Sequence, residues 1–590
     1  MGLDLDAYRN VGDAFTERAA QCPERTAVTF FGGSAAQDHE SLRFAELARR
    51  AGVRAAALEA RLAPGDRVLI ALPTCSGFVE VYLACLLAGL VAVPVPAPGG
   101  SATATARVTA IAEECAPRLA VTTGLDREAL VAFLGDRGLD DVVVEGVGEA
   151  GPGEPPALVR RSPGRDALAV LQYSSGSTGM PKGVMLTHGN VLANTAAFGE
   201  GSGVGPDDSF GIWLPLHHDM GLFGQLTAAL LFGAPIVLMP PTRFVRRPVE
   251  WLRMMDRFGT TVTAAPNFAY ELCIRAVSDE ALDELDLSRL RIAFNGSEPI
   301  HVPTMTAFTK RFARAGLKPE VVSPAYGLAE ATVYTSTNHI GVPPTILAVD
   351  PRRLEAAERP ELVVTSSEDG REITGVGTPA RMEVRIVDPA TRHTLPDGAV
   401  GEIWLRGANV GRGFWNRPDL SEEVFGARLA DGGDDPGDWL RTGDRGAVVA
   451  GELFVTGRIK EMLIVNGRNL FPHDLEQEAR ATHPALTGFV GAVFGVDAPE
   501  ERIVLAHEVD PRTRAEDLPG IAAAVTRRLT IEIGVPMRNV VLVRRGTVLR
   551  TTSGKIQRNA MRELFLAGGL APLHAELEPG VRRILAAGAA

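Results

Sequence analysis

Strand-like and helix-like segments alternate along the first 450 residues of the chain, and this alternation restricts the fold more than any other feature. Short apolar runs that predict strands occur at 66–73, 118–123, 168–174, 235–241 and 260–266. Between them lie segments with the period of an amphipathic helix, for example 41–62 and 248–259. Strands separated by helices in this way form mostly parallel sheets with helices on their faces. The sequence therefore predicts a layered α/β fold.

The pattern changes after about residue 376, where short strand-like runs follow one another with turns between them. We expect a smaller β-rich subdomain there, followed by a final unit of roughly 130 residues after Gly457. At 590 residues the chain is too long for one hydrophobic core. We therefore predict a large N-terminal domain at 1–459 and a small C-terminal domain at 460–590. The last residues, 580–590, are predicted to form a frayed tail.

Composition narrows the class of protein. A formal charge of −12 gives no general attraction to nucleic acid, so no nucleic-acid partner is expected. Five cysteines without a Cys-x-x-Cys pair predict neither a disulfide framework nor a zinc site, and they fit a reducing, cytoplasmic setting. The start of the chain lacks the basic and then apolar pattern of a secretory leader. The longest apolar run, 83–98, is short for a membrane span, so we expect a buried helix leading into a strand and no stable membrane insertion.

A loop rich in Gly and Ser follows the predicted strand at 168–174. Its sequence, SSGSTGMPKG at 174–183, lets backbone N–H groups turn inward around an anion, and Lys182 adds a positive charge. Gly183 stands where the Walker pattern requires Ser or Thr, which disfavours a nucleotide-hydrolysing motor. Taken alone, the loop is equally typical of an ordinary connection between a strand and a helix.

Five motifs in the expected order give nearly the whole chain a resemblance to the adenylate-forming superfamily of acyl-CoA synthetases, luciferases and nonribosomal peptide synthetase adenylation domains. They are the loop at 174–183, PAYGLAEAT at 324–332, DWLRTGDRG at 438–446, GRIKEMLIVNGRN at 457–469 and TTSGKIQR at 551–558. WLPLHHDMGL at 213–222, GRNLFPHDLE at 467–476 and the long region after Glu330 most resemble fatty acyl-AMP ligases. The resemblance implies that the C-terminal domain is a mobile α+β lid.

The resemblance also implies an activity. Such an enzyme joins a fatty or related carboxylic acid to ATP, releases pyrophosphate and passes the acyl group to the phosphopantetheine thiol of a separate acyl carrier protein, with Mg²⁺ as cofactor. The mark of the ligases is an insertion after the magnesium-ligand motif that hinders domain rotation or CoA entry. Here the surplus lies at about 338–370 and contains short apolar runs that we expect to dock on the large domain.

Two other hypotheses stay open at this point. The first is an acyl-CoA synthetase that uses CoA as acceptor, in which the insertion is a tolerated surface loop. The second is a non-catalytic relative that only binds an acyl group or a nucleotide. Retention of the family residues Lys182, Glu330, Asp444 and Lys555 argues against the second hypothesis.

The resemblance assigns roles to single residues. The acid and ATP are anions that repel each other, so the site must align them and neutralise charge as it develops. Lys555 is expected to bridge the attacking carboxylate and the α-phosphate, and Glu330 to hold Mg²⁺. His218 matches a gate beside the acyl carboxylate. Asp444 matches the ribose ligand, and Arg458 the arginine at the domain junction.

The other implied contacts are to the nucleotide. Tyr326 and Gly327 match the adenine platform, and Lys460 occupies the position of the domain hinge. The residues expected at the triphosphate are Ser174, Ser175, Gly176, Ser177, Thr178, Gly179 and Lys182. Those expected at the purine are Asn295, Gly296 and Ser297.

Without the motifs, most of these side chains would be interpreted as solvated, as turn residues or as core packing. His217, His218 and Asp219 suggest a metal site, but adjacent positions do not easily converge on one ion, so we expect none there.

Overall fold

In a computed structural model, the described residues are 4–32, 39–98, 102–148, 161–174, 181–356, 358–366, 370–433, 437–465, 468–497, 501–532, 537–551 and 554–588. Within these ranges no helix has both the length and the apolar character needed to cross a bilayer. The predicted layered α/β fold is confirmed: two large, mainly parallel sheets form the N-terminal part of the protein.

The first large sheet has nine strands. In spatial order they are Thr378–Pro379, Ser336–Thr337, Val322–Tyr326, Ile292–Asn295, Val262–Ala265, Phe210–Ile212, Ile236–Leu238, Thr26–Phe31 and His39–Arg43. The neighbours from Val322–Tyr326 to Thr26–Phe31 are parallel, and the strands at both edges pair antiparallel. The carboxyl ends of the central strands therefore meet at one edge, where ligands bind in α/β folds.

The second large sheet has six strands. In spatial order they are Val143–Gly146, Leu119–Thr122, Arg67–Ala71, Val91–Pro94, Leu168–Ser174 and Lys182–Thr187. All neighbours are parallel except the last pair, whose two strands flank the Gly/Ser-rich loop. This loop therefore connects two antiparallel neighbours at the edge of the sheet.

Helices cover both sheets. They are Val11–Gln21, Phe44–Glu59, Ser76–Ala88, Ala102–Cys115, Arg127–Gly135, His188–Ser202, Asp219–Gly221, Ala228–Phe232, Pro241–Arg246, Val249–Phe258, Asn267–Ala276, Asp279–Asp283 and Val302–Phe312, with 3-10 turns at Leu5–Ala7, Ala313–Ala315 and Ala329–Ala331. Ser76–Ala88 is buried almost all round and ends at Gly89 in the left-handed conformation, which turns the chain into the strand Val91–Pro94. The long apolar run is thus the buried helix and strand that its sequence predicts.

The β-rich subdomain is an antiparallel sheet of four strands. They are Met382–Val387, Gly401–Gly407, Leu440–Val449 and Glu452–Arg458, accompanied by the helix Pro418–Phe425. The predicted insertion adds a hairpin of Ile346–Val349 with Arg371–Thr374 and the short helix Pro351–Leu354. Val349 and Leu354 pack with Phe454, so the insertion docks on the four-stranded sheet.

The C-terminal unit mixes α and β. Its strands are Leu463–Val465, Arg468–Leu470, Gly491–Asp497, Glu501–Glu508, Val540–Val543 and His574–Glu576, its helices are Pro472–Ala481, Leu518–Glu532, Arg558–Leu566 and Pro579–Gly588, and 3-10 turns lie at Ile459–Glu461 and Ala515–Asp517. Among the described residues, its two hydrophobic clusters contain nothing before Leu463. The prediction of a frayed tail is wrong, because the helix Pro579–Gly588 buries Val581 completely in the same cluster as Phe565.

Candidate active site

A cleft of about 2500 Å³ lies between the large sheets and the C-terminal unit. The insertion also contributes to its wall, through residues such as Glu355 and Arg371. Ten of the predicted site residues line this cleft, namely Lys182, His218, Ser297, Tyr326, Gly327, Glu330, Asp444, Arg458, Lys460 and Lys555. Folding therefore brings together residues from all five motifs and from two further stretches, those of His218 and Ser297.

Asp444 is fixed by two side chains. Tyr326, at the end of its strand, donates its hydroxyl hydrogen to Asp444 Oδ2 at 2.8 Å, and Arg458 Nε lies 2.9 Å from Oδ1. Asp444 and Arg458 are direct partners in the antiparallel ladder. The carboxylate of Asp444 raises the pKa of the Arg458 guanidinium, and burial raises the pKa of Tyr326 well above its usual value. Asp444 is only 4% exposed, so both oxygens are held in one orientation.

Glu330 lies in the 3-10 turn Ala329–Ala331, which Gly411 fixes by donating its N–H to the Glu330 carbonyl at 2.8 Å. Within the described ranges the Glu330 carboxylate makes no ion pair. Burial raises the pKa of this carboxyl, and the nearby carboxylates of Asp219 and Asp444 act in the same direction. A half-buried carboxylate among other carboxylates is suited to a divalent cation.

Gly327 is required by the chain's own packing. A Cβ atom at this position would lie 1.6 Å from the carbonyl oxygen of Val333, so no side chain fits between the two backbone segments. Gly327 thus lies in the lining of the cleft, in direct contact with the backbone of Val333.

Lys555 reaches the cleft from the C-terminal unit. Thr551 holds its loop, because the Thr551 N–H donates to the Lys555 carbonyl at 2.8 Å and the Lys555 N–H donates to Thr551 Oγ1 at 3.0 Å. Burial and the neighbouring Arg458 lower the pKa of the Lys555 ammonium, whereas Asp219, Glu298 and Asp444 counteract this. The ammonium group thus lies among carboxylates of the N-terminal part.

Gly554 makes the contact that lets Lys555 enter. A Cβ atom on Gly554, which has a φ of +89°, would lie 2.4 Å from Cε1 of Phe268. The loop therefore rests directly on the Phe268 ring at the start of helix Asn267–Ala276.

Glu298 is a site residue that the sequence reasoning missed. Its Oε1 accepts the backbone N–H of Phe268 at 2.6 Å, and burial raises the pKa of its carboxyl to about 7. It lines the cleft close enough to Lys555 for each to influence the other. The signal was its position in NGSEP, the stretch from which only Asn295, Gly296 and Ser297 were predicted.

These three neighbours divide between the cleft and the core. Asn295 is fully buried and donates to Asn267 Oδ1 at 3.1 Å, and Gly296 packs against the carbonyl of Ala325. Ser297 lines the cleft in the left-handed conformation, with a φ of +68°. Only Ser297 of the three is therefore placed to touch a ligand in the cleft.

Two lysines, Lys182 and Lys460, line the same cleft. Lys182 begins the strand Lys182–Thr187, and its Nζ lies 5.4 Å from the centre of the Phe414 ring. Burial and the nearby Lys460 lower the pKa of Lys182, while Glu330 raises it. Lys460, the expected hinge, thus points its charge toward the same cleft. Ser174 ends its strand, and the predicted contacts Ser175, Gly176, Ser177, Thr178 and Gly179 lie outside the described residues.

His218 caps the short helix that follows it. Its Nδ1 lies 2.6 Å from Asp219 Oδ1 and 3.3 Å from the N–H of Met220. Burial would raise the pKa of Asp219, but His218 and Lys555 outweigh it, so the pKa is lowered. Among the described residues, no group of three or more His, Cys, Asp or Glu side chains could hold a metal ion. A π-helical segment, Leu222–Thr227, follows, a feature common at functional sites.

Contacts of two kinds hold the C-terminal unit against the rest. Asn469 donates its backbone and side-chain N–H groups to the carbonyls of Glu355 and Ala356, both at 2.8 Å, and Arg371 lies 2.5 Å from Asp474. These bonds connect the insertion to the C-terminal unit, and we call them the insertion latch. Arg480 Nη1 donates to both carboxylate oxygens of Glu271, at 2.7 and 2.8 Å, and so joins the unit to helix Asn267–Ala276.

Comparison with known proteins agrees with this geometry. Residues 15–415 match the model of the family described as AMP-binding enzyme. The chain is 37% identical over 583 residues to the long-chain-fatty-acid–AMP ligase FadD26 of Mycobacterium bovis, covering 95% of this chain and 98% of that one. It is 36% identical over 569 residues to a putative fatty-acid–CoA ligase, fadD25, of Mycobacterium tuberculosis, covering 93% and 96%. A solved structure from a study of fatty acyl-adenylate ligases of E. coli and L. pneumophila has a TM-score of 0.86 at 28% identity, covering 95% and 98%.

Proposed function

This chain belongs to the AMP-binding enzyme family, as one of its fatty acyl-AMP ligases, and we propose that it activates a fatty acid with ATP and transfers the acyl group to an acyl carrier protein. In the first step an oxygen of the carboxylate forms a bond to the α-phosphorus of ATP. The bond from that phosphorus to the oxygen bridging the α- and β-phosphates breaks, and pyrophosphate leaves. The product is a mixed anhydride, acyl-AMP.

The residues of the cleft supply what this step needs. Lys555, held among carboxylates, is placed to neutralise the negative charge that builds between the two reacting anions. Lys182 and Lys460 both line the cleft, and their positive charges support the proposal that they hold the departing phosphates. Asp444, oriented by Tyr326, presents carboxylate oxygens that accept hydrogen bonds from ribose hydroxyls.

Glu330 is the residue that would hold Mg²⁺. Its carboxylate is half-buried, has carboxylate neighbours and makes no ion pair among the described residues, which fits a hard divalent cation. When bound, the ion supplies positive charge to the phosphate oxygens.

In the second step the phosphopantetheine thiol attacks the acyl carbonyl, a thioester forms, and AMP leaves with the electrons of the broken anhydride bond. The observation that favours a carrier protein over CoA is the insertion latch. CoA ligases rotate their C-terminal domain between the two steps, and such a rotation would break the bonds of Asn469 to Glu355 and Ala356 and the pair of Arg371 with Asp474.

The latch and the separate hydrophobic clusters also support the domain organisation. We propose that the chain divides at about residue 460, into an N-terminal adenylation domain that carries the insertion and a C-terminal lid. We also propose a reducing, cytoplasmic setting, which the five free cysteines support.

The test is to identify products by mass spectrometry after incubating the enzyme with ATP, Mg²⁺ and a panel of fatty acids, with either CoA or a holo carrier protein. We expect acyl-AMP in both reactions and acylated carrier only in the second. Abundant acyl-CoA would instead show that the enzyme is an acyl-CoA synthetase. The absence of acyl-AMP with every acid would support the hypothesis of a non-catalytic protein that only binds an acyl group or a nucleotide.

A latch variant sharpens the test. Arg371→Ala/Asn469→Ala removes two of the side chains that join the insertion to the C-terminal unit, and we expect it to form more acyl-CoA than the wild type. Arg353→Ala is the matched control, because Arg353 pairs with Glu361 inside the insertion and leaves the latch intact. Equal acyl-CoA formation by both variants would show that the latch does not exclude CoA.

A further inference from the structure

Four arginines converge at the rim of the cleft where the two parts of the protein meet. Arg275 lies near the end of helix Asn267–Ala276, and Arg480 near the end of helix Pro472–Ala481. Arg545 and Arg550 lie in the segment that leads to Lys555. The guanidinium of Arg275 reaches across the junction and packs against Gly488 of the C-terminal unit. A Cβ atom on Gly488 would lie only 2.5 Å from its Nη1.

This arginine cluster has little compensating negative charge. Both carboxylate oxygens of Glu271 accept from Arg480, at 2.7 and 2.8 Å. The buried carboxylate of Glu508 accepts the backbone N–H groups of Gly546 and Val548, between Arg545 and Arg550. Arg275, Arg545 and Arg550 are exposed and make no ion pair with any described residue. Although Arg275 keeps exposed surface, partial burial at the junction and the three neighbouring arginines lower its pKa, against the effect of Glu271. A cluster with more arginines than carboxylates, on a chain with a net charge of −12, raises the local concentration of anions.

The cluster is continuous with the cleft. Arg480 and Arg550 line it together with Glu271, and Lys555 lines its interior. An anion bound on the exposed arginines would therefore lie at the mouth of the cleft in which the acyl-adenylate forms.

The cluster also depends on how the two parts are arranged. Arg275 and Glu271 belong to the N-terminal part, and the other three arginines belong to the C-terminal unit. Rotation of that unit would carry Arg480, Arg545 and Arg550 away from Arg275 and Glu271. The complete cluster thus exists in the arrangement that also places Lys555 in the cleft and closes the insertion latch.

We propose that the arginine cluster is the docking surface for the anionic face of the carrier protein, including the phosphate at the base of its pantetheine arm. This inference rests on the proposed function. Carrier docking then uses the domain arrangement in which Arg275 lies beside the arginines of the C-terminal unit. Like the charged rim of other interfaces, the cluster mainly increases the association rate and the selectivity for the carrier protein, and adds less to the binding affinity.

The variants for the test are Arg545→Glu and the neutralising pair Arg275→Gln/Arg545→Gln. Lys318→Glu is the matched control, because Lys318 is an exposed cation outside the cleft lining and its reversal changes the net charge by the same amount as Arg545→Glu. Each protein is assayed for acyl-AMP formation without an acceptor and for acylation of a purified holo acyl carrier protein at several salt concentrations.

Both cluster variants should form acyl-AMP at the wild-type rate. Their KM for the carrier protein should rise about tenfold at low salt, and added salt should raise it less than in the wild type. Lys318→Glu should resemble the wild type in every assay. Unchanged carrier KM in both cluster variants would overturn the inference while leaving the proposed function intact, whereas a wild type that acylates no carrier would refute the proposed function itself.

Two small thiols separate the sources of negative charge. Pantetheine lacks the phosphate, so its rate of acylation should be the same in all proteins. In the wild type, 4′-phosphopantetheine should be acylated faster than pantetheine, and this difference in rate should shrink in the cluster variants. If pantetheine acylation falls as far as carrier acylation, the arginines act on the site and not on docking, which would contradict the proposal.

Discussion

Gly554→Ala tests whether Lys555 must occupy the position seen in the structure. A Cβ atom at residue 554 would lie 2.4 Å from Cε1 of Phe268, and ordinary contact begins at 3.4 Å. The loop must therefore withdraw by about 1 Å, and a misplacement of that size in a catalytic constellation costs about 100-fold in rate. The Phe268 ring cannot easily yield instead, because it packs against the rings of Trp213 and Phe244, with centroids 6.0 and 6.5 Å away.

The same substitution also carries a conformational cost, which a control must remove. Gly554 has a φ of +89°, where alanine costs about 1–2 kcal/mol relative to glycine. Gly546 has nearly the same φ, +88°, on the same unit, and a Cβ atom added to it would meet no other atom within 4 Å. Gly546→Ala therefore reproduces the backbone strain without the clash.

The assay is ATP-dependent acyl-AMP formation, together with thermal unfolding of both variants. We expect similar losses of stability in the two proteins, about 100-fold slower adenylation in Gly554→Ala and near wild-type adenylation in Gly546→Ala. If Gly554→Ala adenylates as fast as Gly546→Ala, the contact with Phe268 does not determine where Lys555 acts, and the reasoning fails.

Three further predictions concern the charges of the cleft. Lys555→Met should slow adenylation about 100- to 1000-fold. The thermal midpoint of this variant near pH 7 should not fall, because burial lowers the pKa of Lys555 and its charge costs stability there. A marked loss of stability would mean that Lys555 has a structural role. Tyr326→Phe removes the 2.8 Å hydrogen bond to Asp444 and should raise the KM for ATP about tenfold. An unchanged KM would show that this orientation of Asp444 does not contribute to nucleotide binding. Glu298 has a raised pKa of about 7, so the folded state binds more protons than the unfolded chain between about pH 4.5 and 7, and the wild type loses stability across this range as pH rises. The thermal midpoint of Glu298→Gln should accordingly gain on that of the wild type between pH 5 and 8, whereas a constant difference would contradict the titration.

Much of the candidate site was predicted from the sequence motifs. Lys182, Glu330, Asp444, Arg458 and Lys555 were all predicted from local sequence, and all line one cleft. Local sequence suffices for them because each lies in a contiguous motif whose residue types match the charges of the two substrates. The order of strands and helices was likewise readable, since hydrophobic period and length are local properties.

Other residues depended on contacts between distant segments. Asn295 and Ser297 are two positions apart in one stretch, yet one is buried against Asn267 and the other lines the cleft. Alternation along a single loop does not reveal which side faces a ligand. The final helix was missed for a similar reason, because Val581 is buried only by packing against the rest of the C-terminal unit.

The sequence by itself determined the α/β layering and the family of the chain, together with the charged residues that its motifs carry. Tertiary structure alone decided that Glu298 lies beside Lys555, that the insertion binds the C-terminal unit through Asn469, and that Arg275 joins Arg545 and Arg550. These features arise between residues far apart in the chain. Their burial and charge environment exist only once the two parts of the protein are packed together, so no local pattern in the sequence encodes them.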